Sequence, residues 1–334
     1  EQTCYYARVQ DKHLDTAVDV LSDLVCNPLF LPAHIGREKK VVCEEIKESL
    51  DNPSDRIHDL FAASFWGKHP LGQPIMGSQA NINGLTRARL VNTLHRNYRA
   101  GSVVVAASGR LSHERLVKST EKKFRFTSGD APAPETAWRT KPNEVAILQD
   151  ENKQTHLCLG FPSPAYDSKD KTAVIALSSY LGGGMSSVLF QKIREDRGLA
   201  YSVYTFADFY RDAGVFGAYL GTDRKQLQKS LSIVVAEFRK MKRRKLTIPE
   251  ISKLKSQLQG HLILGMESTN NRMNRIARQE LMTGRYQTLN ELLKEIDRVT
   301  PSKLMEAANK IFDESTMAVA VLGPVGKGAL AGVL

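Results

Sequence analysis

The stretch Val299–Pro324, VTPSKLMEAANKIFDESTMAVAVLGP, decides how this chain is read. Its first part sets apolar residues at three- and four-residue spacing behind Thr300, a residue suited to start a helix. Its last part, Met317–Leu322, is a short apolar run of strand length, closed by Gly323-Pro324. The first half holds the same order. Leu85–Tyr98 (LTRARLVNTLHRNY) is followed by the strand-like run Val103–Ser108 and Gly109, and Thr86 stands where Thr300 stands, so both threonines are expected as N-caps.

Working outward, the repeat extends. The second half opens with a strand from Val215 (VFGAYLG), a helix through Leu227, Leu231, Val234 and Phe238, a long helix opened by Pro249, and a helix around Met273–Met282. The first half opens with a strand from Thr3 (TCYYARV), a helix through Leu14, Val18, Leu21 and Val25, a long helix opened by Pro32, and a third helix at Arg56–Trp66. Each half therefore reads as α+β. The predicted architecture is two homologous lobes, residues 1–126 and 143–334, each a mostly antiparallel sheet with helices packed on one face. The Pro-, Ala-, Ser- and Thr-rich segment 127–142 is the expected linker. The second half starts with extra material, Val145–Phe209, that the first lacks, and the chain opens on Glu1 rather than Met. The expectation is a first lobe whose front part lies outside this sequence.

The 334 residues suffice for two domains, and 42% hydrophobic with 25% charged residues fits a globular protein. No apolar run approaches the roughly 20 residues that span a bilayer, so no membrane partner is expected. Cys4, Cys26, Cys43 and Cys158 form no CxxC pair and read as small core residues of a reducing compartment. A net charge of +11, from 47 basic and 36 acidic residues, raises nucleic acid as a partner. The densest patch, Arg239–Lys245, ends a predicted helix, where cations complement the dipole, and no aromatic stripe accompanies it. It reads as a solvated helix end, with no specific nucleic-acid binding expected. Gly182-Gly183-Gly184 lacks the context of a phosphate-binding loop and reads as a tight turn that brings a Met185–Arg197 helix to the sheet. His69 reads as a loop anchor satisfied by backbone.

The predicted helix Ala33–Leu50 carries Glu38 and Glu45, almost two turns apart and hence on one face. Ile35, Val42 and Ile46 share that stripe, which should turn toward the core, and carboxylates are rarely buried unless paired or metal-bound. The plainer alternative is an exposed face on which Glu38, Glu44, Glu45 and Glu48 partner Lys39, Lys40 and Lys47. The repeat places Leu254 opposite Glu38, Leu258 opposite Val42 and His261 opposite Glu45. Acids on only one half suggest chemistry on one lobe of a duplicated scaffold.

Four stretches, Glu1–Val9 (EQTCYYARV), Arg37–Ile46 (REKKVVCEEI), His69–Gly77 (HPLGQPIMG) and Leu181–Tyr204 (LGGGMSSVLFQKIREDRGLAYSVY), occur in one order and spacing. Together they resemble peptidase family M16, the insulinase and pitrilysin zinc metallopeptidases, and most closely its processing-peptidase branch. The resemblance implies a zinc-dependent endopeptidase that takes unfolded peptides or presequences between two lobes as an added strand. It implies one Zn2+ held by a His-x-x-Glu-His helix and a later glutamate. Glu45 matches that glutamate, and Glu38 matches a second acid that supports the metal site. Arg194 and Tyr201 match a pair that engages the substrate backbone and the developing oxyanion. None of the eight histidines lies in a His-x-x-Glu-His context. In the family that motif precedes the glutamate by roughly 75 residues, whereas 44 residues precede Glu45 here. The 334 residues alone are therefore expected to be inactive. Having both sets of residues in one chain implies a homodimer rather than a pair of unlike subunits, in a bacterial cytoplasm or a mitochondrial matrix. A non-catalytic partner subunit is the alternative, and a basic nucleic-acid-binding protein a more distant one.

Overall fold

The computed structural model describes residues 1–132, 144–151, 154–326, 328, 330 and 332. Most of the expected linker 127–142 lies outside them. The helices, in chain order, are α1 (Leu14–Cys26), α2 (Pro32–Asp51), α3 (Pro53–Trp66), α4 (Gln79–Asn83), α5 (Arg87–Asn97), α6 (His113–Lys123), α7 (Lys171–Gly182), α8 (Leu227–Met241), α9 (Ile248–Gly265), α10 (Thr269–Thr283), α11 (Leu289–Asp297) and α12 (Pro301–Ile311). The strands are β1 (Val145–Gln149), β2 (Thr155–Ser163), β3 (Ala200–Phe209), β4 (Gly214–Thr222) and β5 (Ala318–Gly323). This is an α+β chain. The matched helix starts hold: the Thr86 hydroxyl accepts from Arg89 N–H and the Thr300 hydroxyl from Lys303 N–H, each at 3.2 Å.

Contacts divide the chain into two compact units. One comprises Glu1–Glu44, Ser78–Glu135 and His261–Thr288; the other comprises Glu45–Gly77, Thr136–Gly260 and Leu289–Leu334. Within the first, α1 packs on α6, with Val18 and Val25 buried and Asp15–Arg115 and Asp19–Lys123 ion pairs alongside. The expected strands at Thr3–Val9 and Val103–Ser108 are not strands. A strand exists only by hydrogen bonding to a neighbour, and among the described residues neither run has one. Sequence pattern alone could not show this.

The second unit holds a mixed five-stranded sheet in the order β1-β5-β2-β4-β3. The β1–β5 pair is parallel and the other pairs are antiparallel. All nine residues of β4 are buried, as befits an apolar run in the sheet interior, while β3 lies at the edge and exposes Tyr204 and Asp208. One sheet face, through Leu157, Leu159 and Phe161, packs on α7, α8 and α12. There Phe238 and Phe312 stack with centroids 4.4 Å apart. These helices of the expected second lobe lie on that one face, and α3, from the expected first lobe, covers the other with Ile57, Phe61, Phe65 and Trp66 against Cys158, Tyr219 and Ala320. The reason is local. Gly160 leaves a hollow for the Phe61 ring, and a Cβ at that position would meet Phe61 Cζ at 2.5 Å.

Candidate active site

Tyr201 owes its position to a register fault. In the β3–β4 ladder Ala200 pairs with Thr222 and Ser202 with Gly221, so Tyr201 is the unpaired extra residue of a β-bulge. Bulges re-aim side chains, and Tyr201 is 74% exposed. Arg194 approaches it from the π-helical turn Phe190–Glu195. Its guanidinium carbon lies 5.2 Å from the Tyr201 ring centroid and 4.9 Å from that of Phe190, within cation–π range. The two residues that sequence reading paired are thus together in space.

The expected Met185–Arg197 helix is shorter than predicted: residues 184–187 are turn and bend, and the regular part ends in the π turn. Leu189 and Ile193 anchor the turn in the core, and the Gln191 amide donates to the Met185 carbonyl at 2.7 Å. Gly182 serves a different approach from the one expected. It lets the end of α7 abut β3, where a Cβ would lie 2.3 Å from Thr205 N. Chemically, the phenol O–H and the guanidinium N–H groups are donors that can grip a carbonyl oxygen and stabilise charge developing on it.

Glu38 and Glu45 both lie on α2, and both are exposed, whereas Ile46 is buried and Ile35 and Val42 half-buried. The expectation that the acids face the core is corrected. The apolar stripe takes the core side, and the carboxylates sit beside it in water, where their charge is solvated. Glu38 belongs to the first unit and Glu45 begins the second. Among the described residues no hydrogen bond or ion pair joins Glu45 to Arg194 or Tyr201, and no three His, Cys, Asp or Glu side chains come together as a metal cluster. A zinc site takes at least three protein ligands, so one solvated carboxylate does not by itself fit the ion.

Sequence reading missed a polar aromatic cluster between α3 and the sheet. His58 Nε2 lies 2.9 Å from the Tyr204 hydroxyl and His58 Nδ1 lies 3.7 Å from Cys158 Sγ. His156 Nδ1 lies 2.8 Å from the Tyr219 hydroxyl, and Tyr204 stacks on Tyr219 at 4.8 Å. Burial pushes both imidazoles below their ordinary range, although Asp208, Asp55 and Asp59 pull His58 back up. Burial likewise pushes Tyr204 and Tyr219 up to about 12 and raises the Cys158 thiol. These groups form a neutral hydrogen-bonded network with an unreactive thiol. No sequence spacing joins residues 58, 158, 204 and 219; strand pairing and the docking of α3 on the sheet do.

Other sequence features are accounted for structurally. In the basic run, Arg239 makes a two-bond pair with Glu314, Arg244 with Glu250, and Lys242 donates to the Phe312 carbonyl. His69 Nδ1 accepts from Leu71 N–H at 3.2 Å, the backbone anchor expected. All four cysteines are free, and Cys4, expected in a core, is exposed. No helix among the described residues is long and apolar enough to cross a membrane.

Solved structures share this fold. A crystal structure of a protease from Helicobacter pylori matches with a TM-score of 0.87 over 94% of this chain and 77% of that one, at 22% identity. Residues 84–258 match the family model described as the peptidase M16 inactive domain, and residues 1–79 match that of insulinase, peptidase family M16. An uncharacterized zinc protease of Bacillus subtilis is 36% identical over 98% of this chain and 79% of its own length. One from Streptomyces coelicolor is 35% identical over 97% and 72%. The chain belongs to peptidase family M16.

Proposed function

We propose that this chain is the substrate-gripping part of a zinc-dependent endopeptidase acting on unfolded peptides. The observation that supports the reading most directly is the exposed Tyr201 phenol on its bulge with the Arg194 guanidinium over its ring. In this reading Tyr201 and Arg194 hold the carbonyl of the bond to be cut, and their hydrogen bonds tighten as the oxygen gains charge. Glu45 would supply one ligand to zinc and Glu38 would support it, and further ligands would be needed to complete the site. The names of the Bacillus and Streptomyces relatives agree with zinc and with proteolysis.

The test is Tyr201→Phe in the full-length protein, assayed on an unstructured fluorogenic peptide. Loss of an oxyanion donor should lower kcat by roughly 10²-fold with little change in KM. An effect confined to KM would remove Tyr201 from that role. The second reading, a non-catalytic partner subunit, draws on the description of the family model matched by residues 84–258. A full-length protein that binds peptide without cleaving it would favour that reading.

A further inference from the structure

We infer that Lys192 and Glu237 are positioning residues whose ion pair fixes the π turn so that the Arg194 guanidinium lies over both the Phe190 and the Tyr201 rings. Resting on the function proposed above, this inference assigns the pair a task that packing alone does not explain. The Lys192 ammonium reaches Glu237 on α8, and the Glu237 side chain is only 12% exposed. The Lys192 carbonyl in turn accepts from Arg197 Nη1 at 2.7 Å. Lys192 is thereby tied at both ends, two residues before Arg194. Arg194 itself has no carboxylate partner among the described residues; only the two rings and the path of the turn place its guanidinium.

Two physical points favour geometry over stability as the pair's purpose. With the Glu237 carboxylate mostly buried and the Lys192 side chain half-buried, the pair gives little net stability compared with apolar residues of similar volume, so its best use is to fix one arrangement among several. A π turn is uncommon and has poorer intrinsic geometry than an α turn, and such turns concentrate at functional sites. Here it must deliver Arg194 to a tyrosine that is itself displaced by a bulge. A tether from α8, which is anchored in the core by Leu231, Val234 and Phe238, holds the turn against relaxation.

The experiment uses the full-length protein and three changes: Glu237→Gln, Lys192→Arg, and the paired swap of Lys192→Leu with Glu237→Leu. The first readout is the 15N NMR signal of Arg194 Nε–H, assigned with Arg194→Lys and shifted by the two adjacent rings. The second is kcat and KM on the fluorogenic peptide, alongside thermal melting. The expected result is that the Leu pair melts near the parent temperature, yet its Arg194 signal moves toward that of unstacked arginines. Its kcat/KM should fall roughly 10–100-fold, as for a misplacement of about 1 Å, while Lys192→Arg keeps both readouts near the parent values. If the Leu pair does not fold, Glu237→Gln carries the test. An Arg194 signal unmoved in Glu237→Gln or in the Leu pair overturns the inference. If Arg194→Gln leaves peptide hydrolysis untouched, the proposed function fails instead, and the NMR result still judges the tether.

Discussion

The Arg194 guanidinium carbon stands 5.2 Å from the centroid of the Tyr201 ring. Seven positions separate them in sequence, and a π turn and a β-bulge bring them together. Stacking needs the planar face of a guanidinium, which an ammonium lacks. Arg194→Lys should therefore behave as a loss rather than a conservative change. Peptide kcat/KM in the full-length protein is expected to drop at least roughly tenfold, the loss of about 1.4 kcal/mol of transition-state binding. Activity equal to the parent's would show that charge alone suffices.

Glu45 is the residue on which the metal part of the reading can be separated from the peptide part. In the full-length protein, Glu45→Gln should abolish stoichiometric zinc measured by atomic absorption after dialysis. Glu38→Gln should weaken zinc affinity by roughly 10–100-fold, the usual cost of losing a group that orients a metal site. Full zinc content in the Glu45 variant would remove that residue from the site.

Acid should loosen the second unit through its histidines. His58 and His156 are held neutral by burial below their usual value of 6.5. A depressed pKa means the unfolded chain binds more protons, so the stability from these two groups is fully present above about 6.5 and is lost as pH falls below it. Thermal melting between pH 7.5 and 5 should show a falling midpoint, and His58→Asn should flatten the slope. An unchanged slope in that variant would assign the pH dependence elsewhere.

Two glycines should respond in opposite directions. Gly160→Ala would drive a methyl onto Phe61 Cζ at 2.5 Å and Phe216 O at 2.9 Å, costing about 1–3 kcal/mol of stability by overpacking. Gly260, inside α9, has open space on its side-chain side, with nothing within 4 Å of where a Cβ would stand. Gly260→Ala should stabilise by roughly 0.5–1 kcal/mol through helix propensity. Urea unfolding of the two variants reads both signs.

What the linear order determined is the run of helices. Helices announce themselves through local spacing and caps, and Thr86 and Thr300 start their helices as read because an N-cap is satisfied within three residues. The pairing of Arg194 with Tyr201 was legible only through family motifs. What the tertiary structure alone decided is non-local. The runs at Thr3–Val9 and Val103–Ser108 read as strands but have no ladder among the described residues, since a strand is defined by its neighbour. Glu38 and Glu45 share a face as the helix period requires, but which side that face turns to depends on where Ile46 finds its core. The bulge at Tyr201, the tether from Glu237 to Lys192 and the meeting of His58 with Tyr204 all arise from strand register and helix docking. Those are set by packing among residues up to 146 positions apart, a separation at which no sequence period carries information.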